Sequence, residues 1–358
     1  MRTGGTLVLN ALSLHSRMMI FNERINYFRF VHKKYNPLTP ESIDRMLNHH
    51  RIRLKHRVNV PFETDAVLES ILARGIAEST CYEELMQSLV HPTGKEIWGE
   101  YANLSWRYIP NFLEMFPNGK VVHICRDLRG VLASFGKISF MPDNLYLNSI
   151  FNWIDSVNFI RQYRDTLSPK SYMVVRFEDI HLTPEKTLRT LCKFLDEPFE
   201  DVMIETEKWP ELLEQNNVKV NVSVYTNKKV YGFDPKRNET WKDSLQKWEI
   251  ALCDYLAGDL LEEMGYDRLS SGYQLSDLEY GMNQLKKQPY LLKTLNHFEK
   301  TGEGVDHHPV DPTDPVNWSS ADDGFKHFTD TPAYKKYMRD MSNLEDELKI
   351  KYSSAISF

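Results

Sequence analysis

Arg126, Asp127, Arg129 and Ser134 fall within one stretch, Lys120 to Ser134, whose pattern suits gripping an anion. Lys120-Val121-Val122-His123-Ile124-Cys125 is a short apolar run rich in β-branched residues, the pattern of a buried strand. The charged turn Arg126-Asp127-Leu128-Arg129-Gly130 interrupts it, and Val131-Leu132-Ala133-Ser134 resumes as the start of a helix. In open α/β sheets ligands collect where strands end and helices begin, because helix N-terminal N–H groups attract anions. A guanidinium offers paired donors and a serine hydroxyl a neutral one, so Arg126 and Ser134 can hold one phosphate from two sides. The same residues also fit a surface Arg126–Asp127 ion pair followed by a helical serine, and the stretch alone leaves both readings open.

A second candidate lies at the N-terminus. Arg2-Thr3-Gly4-Gly5-Thr6 sets two glycines between hydroxyls and a cation, ahead of the apolar run Leu7-Val8-Leu9. Glycine lets backbone N–H groups approach an anion, the threonines add donors and Arg2 adds charge. A Walker A loop is excluded, since no GxxxxGK[ST] occurs in the chain. A phosphate loop normally follows a buried strand, and only Met1 precedes this one. The expectation is therefore a sheet lacking its first strand, or a true start further upstream.

Stepping out from these residues, the chain has 358 residues, 41% of them hydrophobic and 26% charged, the make-up of an ordinary globular protein. A net charge of −6 argues against a general polyanion binder, so no nucleic-acid partner is expected. No run is apolar enough to form a membrane segment, and no secretory signal opens the sequence. Cys81, Cys125, Cys192 and Cys253 are scattered without a CxxC, as expected of reduced thiols rather than a zinc site. The sequons at Asn103, Asn221, Asn238 and Asn317 then read as chance matches.

Together the two anion-gripping stretches resemble the paired signatures of the sulfotransferases that use 3′-phosphoadenosine-5′-phosphosulfate (PAPS). The resemblance implies that Arg2, Thr3, Gly4, Gly5 and Thr6 contact the 5′-phosphosulfate, and that Arg126 and Ser134 hold the 3′-phosphate. Leu128 stands where the family usually has Pro. In the carboxylate-base members, of Golgi and bacterial type, a catalytic Glu follows the loop by an interval similar to that of Glu23. Read from the residues, Glu23 is equally a surface partner of Arg24 or Arg29. Trp98-Gly99-Glu100 resembles the start of the family's Gly-Glu-Lys-Thr-Pro segment, with Tyr101 in place of the lysine, which makes Glu100 the second candidate base; read from the residues, it is as well a strand-end carboxylate satisfied by neighbouring N–H groups. Arg2 completes the catalytic set as stabiliser of the leaving group.

The remaining segments supply the frame. Thr39-Pro40-Glu41 marks a helix start, and Arg51, Arg53, Lys55, His56 and Arg57 read as a solvated basic face. Phe151, Ile154, Val157 and Ile160 recur at helical spacing within Leu145 to Leu167 and read as core, with Asn152 and Trp153 as candidates to line an adenine. Tyr172 to Ile180 reads as a second buried strand. Thr183-Pro184-Glu185 then opens a helix through Leu195, and the unit as a whole implies a right-handed βαβ crossover. Arg176 and Glu178 read as structural. Arg237, in a basic stretch before Trp241, and Lys242, just after it, are the candidates that by the resemblance close over the 3′-phosphate; spacing does not choose between them, and an exposed basic loop with no ligand fits the residues equally. The resemblance ends near Ser270. Charged amphipathic helices follow, from Leu278 to Lys300 with a break at Pro289 and from Thr331 to Tyr352, joined by a connector rich in proline and aspartate that carries His307-His308.

The expected architecture is α/β: a three-layer, P-loop-like parallel sheet flanked by helices over residues 1–270, with a mostly helical extension over 271–358 packing on it. The expected activity is transfer of a sulfuryl group from PAPS to a hydroxyl or amine of an acceptor whose class the sequence does not reveal, without a metal. The alternatives are an inactive or truncated nucleotide-binding relative and a P-loop kinase-like phosphotransferase. A cytoplasmic location follows from the missing signal, or the Golgi lumen if an upstream anchor precedes the chain.

Overall fold

The computed structural model describes residues 3–22, 25–58, 62–137, 144–215, 229, 231–269, 272–305 and 332–353. The chain opens with α1 (Gly5–Ser13), β1 (Met18–Asn22), α2 (Tyr27–Phe30), α3 (Pro40–Val58), α4 (Thr64–Arg74) and α5 (Glu78–Val90). It continues with β2 (Ile97–Tyr101), α6 (Ile109–Met115), β3 (Val121–Cys125), α7 (Leu128–Gly136), α8 (Asn148–Thr166) and β4 (Tyr172–Arg176). Helices complete it: α9 (Phe177–Leu182), α10 (Pro184–Phe194), α11 (Trp209–Gln215), α12 (Lys247–Glu263), α13 (Leu275–Lys287), α14 (Pro289–Thr301) and α15 (Pro332–Ser353). Two compact units result, one of residues 1–15 and 117–308, the other of 16–116 and 309–358.

In the first unit β3 and β4 run parallel, in register from Val121 opposite Tyr172 to Cys125 opposite Arg176. Parallel neighbours need a crossover of a dozen residues or more, and α7 and α8 provide it. Phe151, Ile154, Val157 and Ile160 of α8 are all buried, as their spacing predicts, and share a core with Leu128 and Leu132 of α7 and Leu252 and Leu256 of α12. Leu285 of α13 and Leu291 and Leu295 of α14 enter the same core. Gln288 and Pro289 separate those two helices, because proline cannot donate the interior helical hydrogen bond but fits a first turn.

The second unit holds the parallel pair β1 and β2, in register from Met18 opposite Ile97 to Asn22 opposite Tyr101. The class is mixed α/β with parallel strands among helices, as expected. Among the described residues, however, the strands bond as two two-stranded ladders rather than one sheet, each closed by crossover helices of its own unit. Helix α3 starts where Thr39 predicts, its hydroxyl accepting from the Ser42 N–H at 3.1 Å. Its basic residues do not form one solvated face: Lys55 is exposed, but Arg53 is not. Arg53 is 1% exposed, donates to the Ile25 carbonyl at 2.8 Å and lies over the ring of Phe30. Helix α15 runs along α3, where Lys351 donates to the buried Asp44 carboxylate at 2.7 Å and His56 pairs with Asp340 at 2.9 Å. The connector with His307 and His308 lies outside the described residues.

The second strand is shorter than expected. It ends at Arg176, and Phe177 begins α9, because Glu178 and Asp179 favour the positive end of a helix. All four cysteines are buried and free. Among the described residues no helix is long and apolar enough to cross a membrane.

His123 of β3 sits between the Tyr172 hydroxyl (2.9 Å) and the Ser156 hydroxyl (2.8 Å), and burial pushes its pKa down to about 3. An unfolded histidine takes up its proton near pH 6.5, so between about pH 6.5 and pH 3 the unfolded chain binds the extra proton. Stability is then full above about pH 6.5 and falls on acidification by up to about 1.4 kcal/mol per pH unit from this residue. Urea midpoints measured from pH 8 to pH 4 should show that fall in the wild type and a shallower one in His123→Gln. Identical slopes would contradict it.

Candidate functional site

The turn after β3 divides its two arginines between two tasks. Asp127 caps α7 by accepting from the Arg129 backbone N–H at 2.9 Å. The same carboxylate takes the Arg129 guanidinium on both oxygens, at 2.9 and 2.8 Å, and the guanidinium carbon of Arg129 stands 4.3 Å from the centre of the Trp241 ring. The paired charges are buried, and the fork geometry with its extra hydrogen bonds offsets their desolvation. Arg126 points elsewhere. Its guanidinium carbon stands 4.1 Å from the centre of the Phe177 ring, and Nη2 donates to the Arg237 carbonyl at 3.3 Å. Its own carbonyl accepts the indole N–H of Trp153 at 2.8 Å, so Trp153 braces the strand end.

Gly130 makes room for this arginine. A Cβ there would come within 2.8 Å of the Arg126 Nε, so a side chain at 130 would press on the guanidinium. Ser134 is buried on α7 one turn beyond Gly130, and residues four apart share a helix face.

The N-terminal loop reaches the same ring. Gly4 has φ +83°, a left-handed conformation natural only to glycine, and a Cβ there would overlap Phe177. Gly5 then opens α1, whose first N–H groups have no intrahelical acceptor. Val8, Leu9, Ala11 and Leu12 are buried, and His15 donates from Nε2 to the Pro198 carbonyl at 2.9 Å, pinning the far end of the helix. Thr3 and Thr6 are half-buried in this loop, while Arg2 lies outside the described residues. Phe177 thus touches the glycine of one corner and the arginine of the other.

Glu178, the next residue, ties the start of α9 to the turn after β3 and to two later segments. Its Oε1 accepts from the Asp127 N–H at 3.0 Å, Oε2 accepts from the Tyr266 hydroxyl at 2.8 Å, and its carbonyl accepts from Asn238 at 3.3 Å. Burial pushes its pKa up, while those donors draw it back down. The Asn238 contact anchors the turn Pro235–Asn238, which carries Arg237. The two basic residues that spacing left equivalent have different surroundings. Arg237 has its carbonyl on Arg126, whereas Lys242 is exposed and paired with Glu239 at 2.6 Å. Sequence reasoning missed Phe177 and Gly130 as parts of this arrangement, and Phe177 was hidden because the run Tyr172 to Ile180 reads as unbroken strand.

Glu100 belongs to the other unit, on β2 opposite Phe21. Its Oε1 accepts from the N–H groups of Ile25 and Asn26, both at 2.7 Å, and Oε2 accepts from the Tyr82 hydroxyl at 3.1 Å. Desolvation raises its pKa against the pull of these donors and of Arg53. Glu23 lies outside the described residues. Among the described residues no group of three or more His, Cys, Asp or Glu is placed to hold a metal ion.

Known proteins resemble the chain as follows. A segment of 101 residues, 27% of this chain, is 27% identical to a protein-tyrosine sulfotransferase of Drosophila melanogaster and spans only 20% of that protein. Among solved structures, the sulfotransferase domain from the curacin biosynthetic pathway is 18% identical, with 74% of this chain and 95% of that one covered at a TM-score of 0.46. The sulfotransferase domain from the Synechococcus PCC 7002 olefin synthase is also 18% identical, covering 74% and 92% at a TM-score of 0.48. The model of the family described as the sulfotransferase family matches residues 1–201, more than half of the chain and all of the Gly4, Arg126 and Phe177 cluster, and the protein belongs to that family.

Proposed function

We propose that the protein transfers a sulfuryl group from PAPS to an acceptor hydroxyl or amine, and that the first unit holds the nucleotide. The observation that carries this reading is the Phe177 ring with Arg126 on it and the Gly4 turn against it, two anion-gripping corners joined through one side chain. The cradle suits a bis-anionic nucleotide in its donor chemistry, with a buried guanidinium given space by Gly130 and a helix N-terminus preceded by a left-handed glycine.

In this reading Arg126 and Ser134 bind the 3′-phosphate, and Arg237, whose backbone carbonyl already accepts from the Arg126 guanidinium, closes over it. The Gly5 and Thr6 N–H groups, the hydroxyls of Thr3 and Thr6, and Arg2 receive the 5′ end. Bound PAPS supplies the sulfuryl group for an in-line displacement resembling phosphoryl transfer, in which fixed donors and positioning carry most of the rate enhancement. Arg2 and the α1 N-terminus stabilise the charge that grows on the departing phosphate oxygen. Glu23 accepts the proton of the acceptor. Glu100 is assigned a positioning role instead, since its carboxylate already receives the two amides that follow Glu23-Arg24 and the Tyr82 hydroxyl.

Arg126→Ala should weaken binding of the product nucleotide PAP by about 1.5–3 kcal/mol, the value of charge-assisted hydrogen bonds, when titrated by calorimetry. Unchanged affinity would remove Arg126 from the site. Gly130→Ala should push Arg126 off the Phe177 ring and weaken PAP by about 1 kcal/mol with little change in thermal midpoint. A loss of stability without a loss of affinity would show that the glycine serves packing alone.

The two carboxylates separate by substitution. Glu23→Gln should lower turnover by about 10²–10⁴-fold with PAP binding intact, as expected of a lost general base. Glu100→Gln should chiefly lower the unfolding free energy, by about 1–3 kcal/mol, because a buried acceptor of three hydrogen bonds is altered. The reverse pattern in a labelled-PAPS assay would exchange their roles.

A further inference from the structure

His181 stands four residues after Phe177 on α9, with its ring edge-on to Phe177 at a centroid separation of 4.5 Å. It is 2% exposed. Its Nδ1 lies 2.8 Å from the Asp234 backbone N–H and can only accept from it, so the ring proton sits on Nε2. That Nε2 is buried and has no hydrogen-bond partner among the described residues. Buried donors are nearly always satisfied, so one left without an acceptor calls for an explanation.

Its surroundings supply one. The charged groups acting on the ring are Arg126 from the end of β3, Arg237 and Asp234, and burial followed by the two arginines pushes its pKa down to about 4. The Asp234 carboxylate is turned to the Lys236 N–H at 3.0 Å, and its other oxygen is 4.0 Å from the Arg237 Nε. The imidazole is therefore a neutral donor set among guanidinium groups. A third cation there would repel the two arginines, whereas a neutral N–H adds a hydrogen bond to whatever anion they attract.

Resting on the nucleotide reading above, we propose that His181 donates its Nε2 hydrogen to the phosphate held by Arg126 and Arg237, as a further ligand of the nucleotide's 3′-phosphate. The assignment distinguishes His181 from a packed core histidine. A packing role needs the ring, while a ligand role needs a donor at the ε position.

Calorimetric titrations of the wild type, His181→Asn and His181→Gln with PAP and with AMP, which lacks the 3′-phosphate, separate these roles, with thermal unfolding run beside them. Asparagine keeps an acceptor for the Asp234 N–H but has no ε donor, and glutamine places an N–H near the ε position. His181→Asn should bind PAP about tenfold more weakly and AMP as the wild type does, and His181→Gln should recover most of the PAP affinity. Wild-type PAP affinity in His181→Asn, or an equal loss for PAP and AMP in both variants, would overturn the proposal. A wild type that binds PAP no better than AMP would instead bring down the nucleotide reading, and this assignment with it.

Discussion

The contact between the Arg126 guanidinium and the face of Phe177 is the constraint from which the rest of the first unit follows. A cation that is only 7% exposed must regain in contacts what it loses in hydration. The neighbouring carboxylate is no help, because both oxygens of Asp127 are engaged by Arg129. Arg126 lies instead against an aromatic face and donates to a backbone carbonyl, which hold it in place. The Arg-Asp-x-Arg turn is thus a division of labour, with the second arginine consuming the carboxylate so that the first does not.

The same constraint explains features that otherwise look unrelated. Gly130 is required on the helix side of Arg126 and Gly4 on the other side of the Phe177 ring, one for space and the other for space and a left-handed backbone. Glu178 fixes the ring's own position, since the residue after Phe177 ties Asp127, Tyr266 and Asn238 to the start of α9. A side chain at Gly4 would press on the ring itself and one at Gly130 on the arginine that lies against it.

Local signals in the sequence were strong enough to place β3, α7, the core face of α8 and the break at Pro289, because periodicity, a cap and a proline each act within a few residues. The pairing of Gly4 with Arg126 rested on resemblance, and the ring between them was invisible, since nothing in Arg176-Phe177-Glu178 distinguishes a strand residue from the first residue of a short helix. Arg53 shows the same limit from the other side. In a run of five basic residues it reads as solvated, yet it is buried against Phe30 and the Ile25 carbonyl, contacts made across a gap of more than twenty residues. The chain's division in space was equally hidden. Helices α13 and α14 enter the core of α8 and α12 while α15 returns to α3, and only tertiary burial decides which of three amphipathic helices joins which partner.

Glu100 marks the difference between a carboxylate suited to catalysis and one suited to architecture. Burial raises its pKa, which taken alone is what a general base needs. A base must also present a lone pair to the proton it takes. Two amide N–H groups at 2.7 Å occupy one oxygen of Glu100 and a tyrosine hydroxyl meets the other, so each proton accepted would weaken bonds that shape the segment after β1. The desolvation that raises the pKa and the donors that oppose it come from the same enclosed setting. A carboxylate placed in that way gains rigidity at the expense of reactivity, and the chain it holds begins two residues after Glu23.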